Sequence, residues 1–177
     1  MISATTIAAA TANDPTARQE IYEAYLGYVL TIIRRYGISA SEEVDVVQDI
    51  FIEIFVSLPK YDPSKGELKP WLRAVAVHQI LKRIKNSKRL QVAAISQETE
   101  VEDTQLQLHQ YDTAYILHEI SQLSKGYQTV FNMYEIDGYS HKEIASKLKI
   151  TVQTSKSQLS RAKNILRKKL RKFIAIL

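Results

Sequence analysis

The stretch YSHKEIASKLKITVQTSKSQLSRAKNILRKKLRK, residues 139–172, predicts two helices joined by a tight turn. Ser140 and Glu143 have the spacing of a capping box, which predicts that the first helix starts at Ser140. Lys149-Ile150-Thr151 interrupts the apolar pattern, and Thr151 can cap the helix that follows. The apolar side chains predicted to face inward are Ile144, Ala145, Leu148, Val152, Leu159, Ala162, Leu166 and Leu170.

The same stretch carries a large positive charge. Residues 141–172 contain 11 Lys or Arg and one Glu, a net charge of +10. A phosphate backbone would lower the mutual repulsion of these cations, and a helix with hydrogen-bonding groups edged by cations suits the major groove of DNA. A basic amphipathic helix alone is more often a solvated surface, but the two caps and the short turn favour DNA binding. The outward side chains are Gln153, Lys156, Ser157, Ser160, Arg161, Lys163 and Lys168.

The composition narrows the range of functions. The chain has 177 residues, of which 45% are hydrophobic, enough for one domain or two small ones. It has no cysteine, which excludes disulfides and thiolate metal sites, and its four histidines have no metal-ligand spacing. No signal-peptide pattern or membrane-length apolar run is present, which predicts a cytoplasmic protein without membrane insertion. The sequence has no Gly-rich phosphate loop and no nucleophile–base–acid arrangement. We therefore expect that the protein is not an enzyme, has no catalytic residue, and binds no cofactor or metal.

Charge is distributed in blocks along the chain. Residues 65–90 carry eight Lys or Arg and one acid, a net of +7, whereas residues 91–119 carry six acids and no Lys or Arg, a net of −6. Two basic blocks that flank an acidic, Gln-rich connector are typical of two DNA-facing modules joined by a linker. The predicted organisation is a flexible tail at 1–14, a helical domain at 15–90, an acidic linker at 91–118 and a helix-turn-helix domain at 119–177.

The fold is predicted to be all-α, because no stretch alternates as a strand would. We expect two small helical domains joined by a flexible linker. Trp71, at the start of an amphipathic helix, is expected to lie in the core. The predicted helices cover about 15–36, 41–58, 71–88, a stretch from about 108, and 124–136.

The predicted helix at 41–58 is amphipathic. Ser39 and Glu42 have the spacing of a second capping box just before it. Its expected buried side chains are Val44, Val47, Phe51, Ile54 and Leu58. Three carboxylates at i, i+4 and i+8 line the opposite face, those of Asp45, Asp49 and Glu53.

Two separated stretches carry the motifs of one protein family. Residues 42–89 read EEVDVVQDIFIEIFVSLPKYDPSKGELKPWLRAVAVHQILKRIKNSKR, an acid-V-V-Q-D-x-F helix, a short loop and a W-L helix that ends in basic residues. Residues 123–170 read LSKGYQTVFNMYEIDGYSHKEIASKLKITVQTSKSQLSRAKNILRKKL. They resemble the second and fourth regions of bacterial RNA polymerase sigma factors of the extracytoplasmic-function (ECF) group. The two motifs, in this order, cover more than half of the chain.

The resemblance implies two contacts for the first stretch. Its acidic helix would dock on the clamp helices of the largest subunit of core RNA polymerase. The loop 59–70 and the helix after it would bind the −10 promoter element and capture an unstacked base. The residues matched to the polymerase contact are Asp45, Gln48, Asp49 and Glu53. Those available for −10 DNA are Tyr61, Lys65, Lys69, Arg73, His78, Lys82, Arg83 and Lys85.

The resemblance implies that the second stretch reads the −35 promoter element as duplex DNA. Ser157, Ser160 and Arg161 match family residues near base edges, and Arg161 is the favoured base reader, since Arg can bind guanine through two hydrogen bonds. The residues matched to phosphate contacts are Thr154, Lys156, Gln158 and Lys163. The resemblance implies two partners, core RNA polymerase and promoter DNA. An anti-sigma factor that wedges between the two domains is a third implied partner.

Four positions depart from the usual residues of the family: His78 replaces Asn, Lys149 replaces Gly, Ser155 replaces Val and Gln158 replaces Arg. A left-handed Lys149 would cost roughly 1 kcal/mol. Ser155 would underpack the helix-turn-helix unless its hydroxyl bonds back to the helix. A stand-alone helix-turn-helix regulator that uses only residues 119–172 is the alternative, although it would have no need of a second basic module.

Overall fold

The computed structural model describes residues 2–91 and 111–174, with side chains described within 2–86 and 115–170. Every regular element in these ranges is helical, which confirms the all-α prediction there. The chain divides into two compact units. The first unit is Met1–Arg34 with Ile38–Lys88, and the second is Arg35–Gly37 with Arg89–Leu177. Most of the predicted linker, residues 92–110, lies outside the described residues.

The helices follow the predicted set, with changes at several boundaries. The helix predicted from Trp71 begins at Leu68, and Pro70 lies in its first turn, where a missing N–H is tolerated. The helix start predicted near Leu108 lies outside the described residues. The helices are α1 (Ala4–Thr11), α2 (Pro15–Arg35), α3 (Glu43–Ser57), α4 (Leu68–Gln91), α5 (Tyr111–Ser121), α6 (Lys125–Phe131), α7 (His141–Leu148) and α8 (Val152–Ile174). A π-helical turn, Asn132–Ile136, continues α6.

Helix α1 occupies a stretch for which the sequence predicted a frayed tail. The Ser3 hydroxyl accepts a hydrogen bond from the Thr6 amide at 3.0 Å and so caps the helix start. Ala10 is fully buried, and its carbonyl oxygen accepts a hydrogen bond from Arg18 Nε at 3.1 Å. A run of small residues therefore forms a helix here because a cap begins it and a cation on α2 binds the carbonyl near its end.

The core of the first unit is apolar and formed by α2, α3 and α4. The predicted burial of Val47, Phe51, Ile54 and Leu58 is confirmed. The predicted burial of Val44 is wrong, since its side chain is 66% exposed. The buried stripe of α3 starts at Val46 and follows the helical period, which leaves Val44 on the outer side. Other buried members of this core are Ile21, Val29, Ile32, Ile33, Ile50, Leu72, Ala76, Val77 and Ile80.

The capping box predicted at Ser39 is wrong. The Glu42 amide donates to the Ser39 carbonyl oxygen at 3.0 Å within a 3-10 turn, Ala40–Glu42, that precedes α3. The Ser39 hydroxyl therefore has no free amide at this position and donates to the Glu42 carboxylate at 2.7 Å. This hydrogen bond, followed by the Arg83 guanidinium, holds the pKa of Glu42 below its ordinary value.

The second unit buries one face of α8 against α5, α6 and α7. Ile120, Leu123, Ala162 and Leu166 form its apolar cluster. Ile144 and Ala145 of α7 are buried as predicted, and so is Leu159. Val152 was predicted to face inward but is 38% exposed, since it stands at the first residue of α8 and the buried stripe begins one turn later, at Ser155.

The two helices of the helix-turn-helix, α7 and α8, begin at the predicted caps. The Ser140 hydroxyl and the Glu143 carboxylate form the capping box of α7. The Thr151 hydroxyl accepts from the Thr154 amide at 2.9 Å and caps α8. Between them Lys149 is left-handed, with φ 55° and ψ 45°, the conformation that usually selects glycine. The amide of Ile150 then donates to the Ala145 carbonyl oxygen at 3.1 Å, which closes the end of α7.

Replacing Lys149 by glycine should stabilise the second unit, because glycine adopts the left-handed conformation without the Cβ clash. We expect the free energy of unfolding to rise by about 1 kcal/mol for Lys149→Gly, measured by urea denaturation followed by circular dichroism. Lys149→Ala is the matched control: it also removes the charge but keeps the clash, so it should give no gain. Equal stabilities of the two variants would contradict the assignment of strain to this residue.

Candidate functional site

The predicted −35 residues all lie on one helix, α8, but only some of them are exposed to solvent. Lys156, Ser160 and Arg161 are exposed, and Arg161 Nη1 donates to the Tyr127 hydroxyl at 3.4 Å. The remaining predicted residues, Thr154, Ser157, Gln158 and Lys163, are half-buried. The surface available to a duplex is therefore centred on the three exposed side chains.

Some half-buried side chains of α8 have partners inside the protein. Lys163 Nζ forms an ion pair with Glu135 Oε1 at 2.6 Å, which ties α8 to the π-helical turn. The Gln158 side chain packs against α6 at Gly126, where a Cβ would lie 3.4 Å from its Nε2. The Ser157 hydroxyl donates to the Thr154 carbonyl oxygen at 3.0 Å. Lys163 and Gln158 thus contribute to holding α8 in the fold, which spacing along the sequence did not indicate.

Helix α4 presents cations on one side of the first unit. His78, Lys82 and Lys85 are exposed at i, i+4 and i+7 and so lie on one helical face. Lys69 and Lys65 are also exposed, and Lys69 Nζ lies 4.8 Å from the centre of the Tyr28 ring. These five side chains form the exposed cationic part of the predicted −10 set, and Lys65 among them lies 3.5 Å from the Asp62 carboxylate.

Arg83, another member of the predicted −10 set, is occupied by acids. Its guanidinium lies 3.1 Å from the Glu42 carboxylate and 3.7 Å from that of Asp49. It therefore links α4 to the start of α3 and screens one of the carboxylates predicted to face the polymerase. Arg73, the last cation of the set, is half-buried.

An open cleft lies where the loop after α3 meets α4. The Tyr61 and Trp71 rings are 5.4 Å apart with an interplanar angle of 54°, and the Tyr61 hydroxyl donates to the Gly66 carbonyl oxygen at 2.9 Å. Trp71 is half-buried and lines the cleft, so its predicted place in the core is wrong. The cleft has a volume of about 320 Å³, and its other lining residues are Lys60, Asp62, Lys65, Glu67 and Pro70.

The outer face of α3 is both acidic and apolar. The predicted residues Asp45, Gln48 and Asp49 are exposed, and Glu53 is half-buried. Beside them lie three exposed apolar side chains that sequence reasoning missed: Val44 at 66%, Ile52 at 62% and Val56 at 69% exposure. Val44 and Ile52 are eight residues apart and Ile52 and Val56 are four apart, a spacing that places all three on one face of the helix. The sequence did not reveal this exposed row, because the same helix also has a buried apolar stripe. An apolar row of this kind indicates a surface that another protein covers.

Two family models match the chain over separate ranges. The model of Sigma-70 region 2 matches residues 21–90, and that of Sigma-70 region 4 matches residues 113–166. The ECF RNA polymerase sigma factor SigW of Bacillus subtilis (strain 168) is 26% identical over 174 residues, which cover 90% of this chain and 91% of the relative. The chain is an ECF sigma factor.

The fold of this sigma factor is also similar to solved sigma-factor structures. CnrH in complex with the cytosolic domain of CnrY is 20% identical, with a TM-score of 0.52 and coverage of 95% of this chain and 96% of that one. The sigma factor RpoE in complex with the anti-sigma factor NepR, from Bartonella quintana, is 20% identical, with a TM-score of 0.55 and coverage of 86% and 98%. These likenesses concern the fold.

Family membership decides between the two functions left open by the sequence. Sigma factors bind core RNA polymerase and promoter DNA and direct initiation, and the match of region 2 over α2, α3 and α4 rules out a stand-alone regulator built on region 4 alone. Within the described residues no helix is long and apolar enough to cross a membrane. Over the same ranges no group of His, Asp and Glu is arranged to hold a metal ion.

The Ser140 hydroxyl should control the ionisation of Glu143 at the start of α7. It donates to Glu143 Oε2 at 2.7 Å, and this bond holds the pKa of Glu143 below its ordinary value. The stabilisation of α7 by this bond is therefore fully present at pH values above the ordinary pKa of glutamate, and it is lost as the pH falls through the lowered pKa. We expect Ser140→Ala to raise the pKa of Glu143, measured by NMR titration of its carboxyl carbon. Ser146→Ala, an exposed serine on the same helix, should leave it unchanged. An unaltered Glu143 titration in Ser140→Ala would contradict the capping role.

Proposed function

We propose that this sigma factor divides its contacts among three surfaces: α3 binds the polymerase, α4 with the preceding loop binds the −10 element, and α8 reads the −35 element. The observation that carries this division is the separation of the two matched regions, each with its own exposed cationic helix. The proposed domain limits are 15–90 and 119–177, with the linker at 91–118. The two separate matches, 21–90 and 113–166, support the division into two domains, although the second match begins six residues before the proposed limit at 119.

The outer face of α3 is the proposed docking surface for the clamp helices of the polymerase's largest subunit. Val44, Ile52 and Val56 supply apolar area, which is worth roughly 25 cal/mol per Å² when it is removed from water. Asp45 and Asp49 add negative charge that would steer a basic partner and fix its register. Gln48 and Glu53 complete the face, and Glu53 contributes less exposed surface than the other two acids.

The cleft between Tyr61 and Trp71 is the proposed site for an unstacked base of the −10 element. The two rings offer aromatic surface, on which bases stack without needing a particular sequence. Lys65, Lys69 and the row His78, Lys82 and Lys85 would then hold the phosphates of the freed strand. Arg73 and Arg83 have supporting roles in this proposal, since Arg73 is half-buried and Arg83 is paired with acids of α3 and its flanking turn.

The outer face of α8, centred on the exposed Lys156, Ser160 and Arg161, is the proposed reader of the −35 duplex. Arg161, Ser157 and Ser160 would reach base edges, while Lys156 and Thr154 would contact phosphates. Gln158 and Lys163 are proposed to contact phosphates as well, but each must then reorient from its present partner. Arg161 must likewise release the Tyr127 hydroxyl, a long hydrogen bond that costs little to break.

Two further properties follow from the family. The protein supplies no catalytic chemistry of its own and acts in the cytoplasm, where its polymerase works. An anti-sigma factor is a proposed inhibitor, supported by the complexes in which CnrH and RpoE were solved with CnrY and NepR. Such an inhibitor would compete with polymerase wherever it covers the exposed apolar row of α3.

Reversing the charge of α3 should weaken polymerase binding. We expect Asp45→Lys with Asp49→Lys to lower the affinity for core RNA polymerase at least about tenfold, because like charges placed across an interface cost several kcal/mol. Ile52→Ser with Val56→Ser should also lower the affinity without loss of folding stability, since both side chains already face water. Affinity would be measured by fluorescence anisotropy of the labelled sigma factor. Glu23→Lys on α2 is the exposed control, and unchanged binding by both double variants would reject α3 as the docking surface.

Arg161 and Lys156 should differ in what they contribute to promoter binding. Arg161→Ala is expected to relax discrimination at one base pair of the −35 element by about 1–3 kcal/mol. Lys156→Ala should weaken binding to all sequences alike and reduce the salt slope by about 1. Both are measured by titrating holoenzyme with promoters substituted at each −35 position, over a range of salt concentrations. Loss of discrimination in Lys156→Ala with none in Arg161→Ala would reverse the assignment.

A further inference from the structure

A polar pair joins the two helices of the helix-turn-helix beside the apolar side chains that they bury. The Ser155 side chain is fully buried on the inward face of α8, the face that also carries Leu159, Ala162 and Leu166. Its hydroxyl lies 2.9 Å from Nδ1 of His141, the first residue of α7. The buried Ser155 hydroxyl therefore has a hydrogen-bond partner on the other helix.

The imidazole of His141 has a second contact, on the face of the ring. Its ring stacks on the Tyr134 ring, with centroids 4.3 Å apart and an interplanar angle of 22°. Tyr134 belongs to the π-helical turn that joins α6 to the loop before α7. Tyr134, His141 and Ser155 thus form a chain of contacts from that turn, through the start of α7, to the first turns of α8.

A hydrogen bond constrains these helices in a way that apolar packing does not. Burial of apolar surface is non-directional, so α8 could rotate slightly about its axis without losing much of it. A hydrogen bond weakens steeply away from its preferred distance and angle, and a buried hydroxyl without a partner is costly. Since Ser155 lies two residues before Ser157 and six before Arg161, its bond fixes the rotation at which both are presented.

We propose that His141 and Ser155 are positioning residues for −35 recognition, which act by fixing the orientation of α8 on α7. This inference rests on the proposed reading of the −35 element by α8. Neither residue needs to touch DNA. The pair sets which side chains face the groove, while Tyr134 keeps the imidazole plane in place.

The test compares variants that separate the hydrogen bond from the ring. Ser155→Ala and His141→Phe each break the bond, and His141→Phe keeps an aromatic ring against Tyr134. His141→Asn loses the ring but can place an amide nitrogen or oxygen near the position of Nδ1. The measured quantity is the ratio of holoenzyme affinities for a promoter with its −35 element intact and with that element scrambled, the promoter being mapped from transcript 5′ ends after overproduction.

The bond-breaking variants are expected to lower this ratio about five- to thirty-fold, with core-polymerase affinity unchanged and the second unit still folded at the assay temperature. His141→Asn should retain the ratio to within about twofold of the unmodified protein. The double variant Ser155→Ala with His141→Phe should be no worse than the worse single variant, because the two residues act through one bond.

Other outcomes would overturn the inference or its basis. If the bond-breaking variants melt earlier but keep the ratio, the pair is merely structural and the inference fails. If the two single effects add in the double variant, the residues do not act through each other and the inference also fails. If the unmodified protein shows no −35 discrimination, it is the proposed −35 reading that fails instead.

Discussion

The structure depends on one constraint: a helix crowded with cations is stable only if its opposite face is buried. Like charges on one helix repel each other, and burial of an apolar stripe offsets that repulsion. In the first unit α4 buries Leu72, Val77 and Ile80, and in the second unit α8 buries Leu159 and Leu166. Several cations of each helix are then left exposed, among them Lys82 and Lys85 of α4 and Lys156 and Arg161 of α8, and exposed cations of this kind suit a phosphate backbone. Promoter binding is in this sense a consequence of how the two units fold.

The same constraint explains why α3 differs from the two cationic helices. It has a buried stripe, but its outer side carries acids and a second apolar row. A surface of this kind would repel DNA and suits a protein partner. Arg83 of α4 pairs with Glu42 and Asp49, so an ion-pair network joins the face proposed to bind polymerase to the helix proposed to bind DNA.

Local patterns predicted what is determined locally. The all-α fold and the caps at Ser140 and Thr151 follow from a few neighbouring residues, and the described residues show each of them. The sequence left the conformation of Lys149 open, and the structure makes it left-handed. The Ser39 capping box failed because a backbone carbonyl took the amide it needed. The sequence did not predict helix α1, because Arg18, which donates a hydrogen bond to the Ala10 carbonyl oxygen near the end of α1, lies on the next helix.

Side-chain partners that lie far apart in sequence could not be predicted in this way. The half-buried place of Trp71, the ion pair of Lys163 with Glu135 and the bond between His141 and Ser155 all depend on how the helices pack. The sequence showed that Ser155 departs from the family pattern, but it did not show which group binds the Ser155 hydroxyl. That group is His141, which only the packing of α7 against α8 reveals. The candidate DNA residues were therefore found by motif, whereas which of them are free came from the structure.

Both units should contact one promoter while the protein is bound to polymerase, and site-specific photocrosslinking can show whether they do. A crosslinker would be placed at Lys82 on α4 and, separately, at Ser160 on α8, with Glu23 on α2 as the control position, in a complex of core polymerase, sigma factor and promoter. We expect that Lys82 labels DNA near −10, that Ser160 labels DNA near −35, and that Glu23 labels neither. Labelling from Ser160 alone, with Lys82 silent in an active promoter complex, would contradict this expectation.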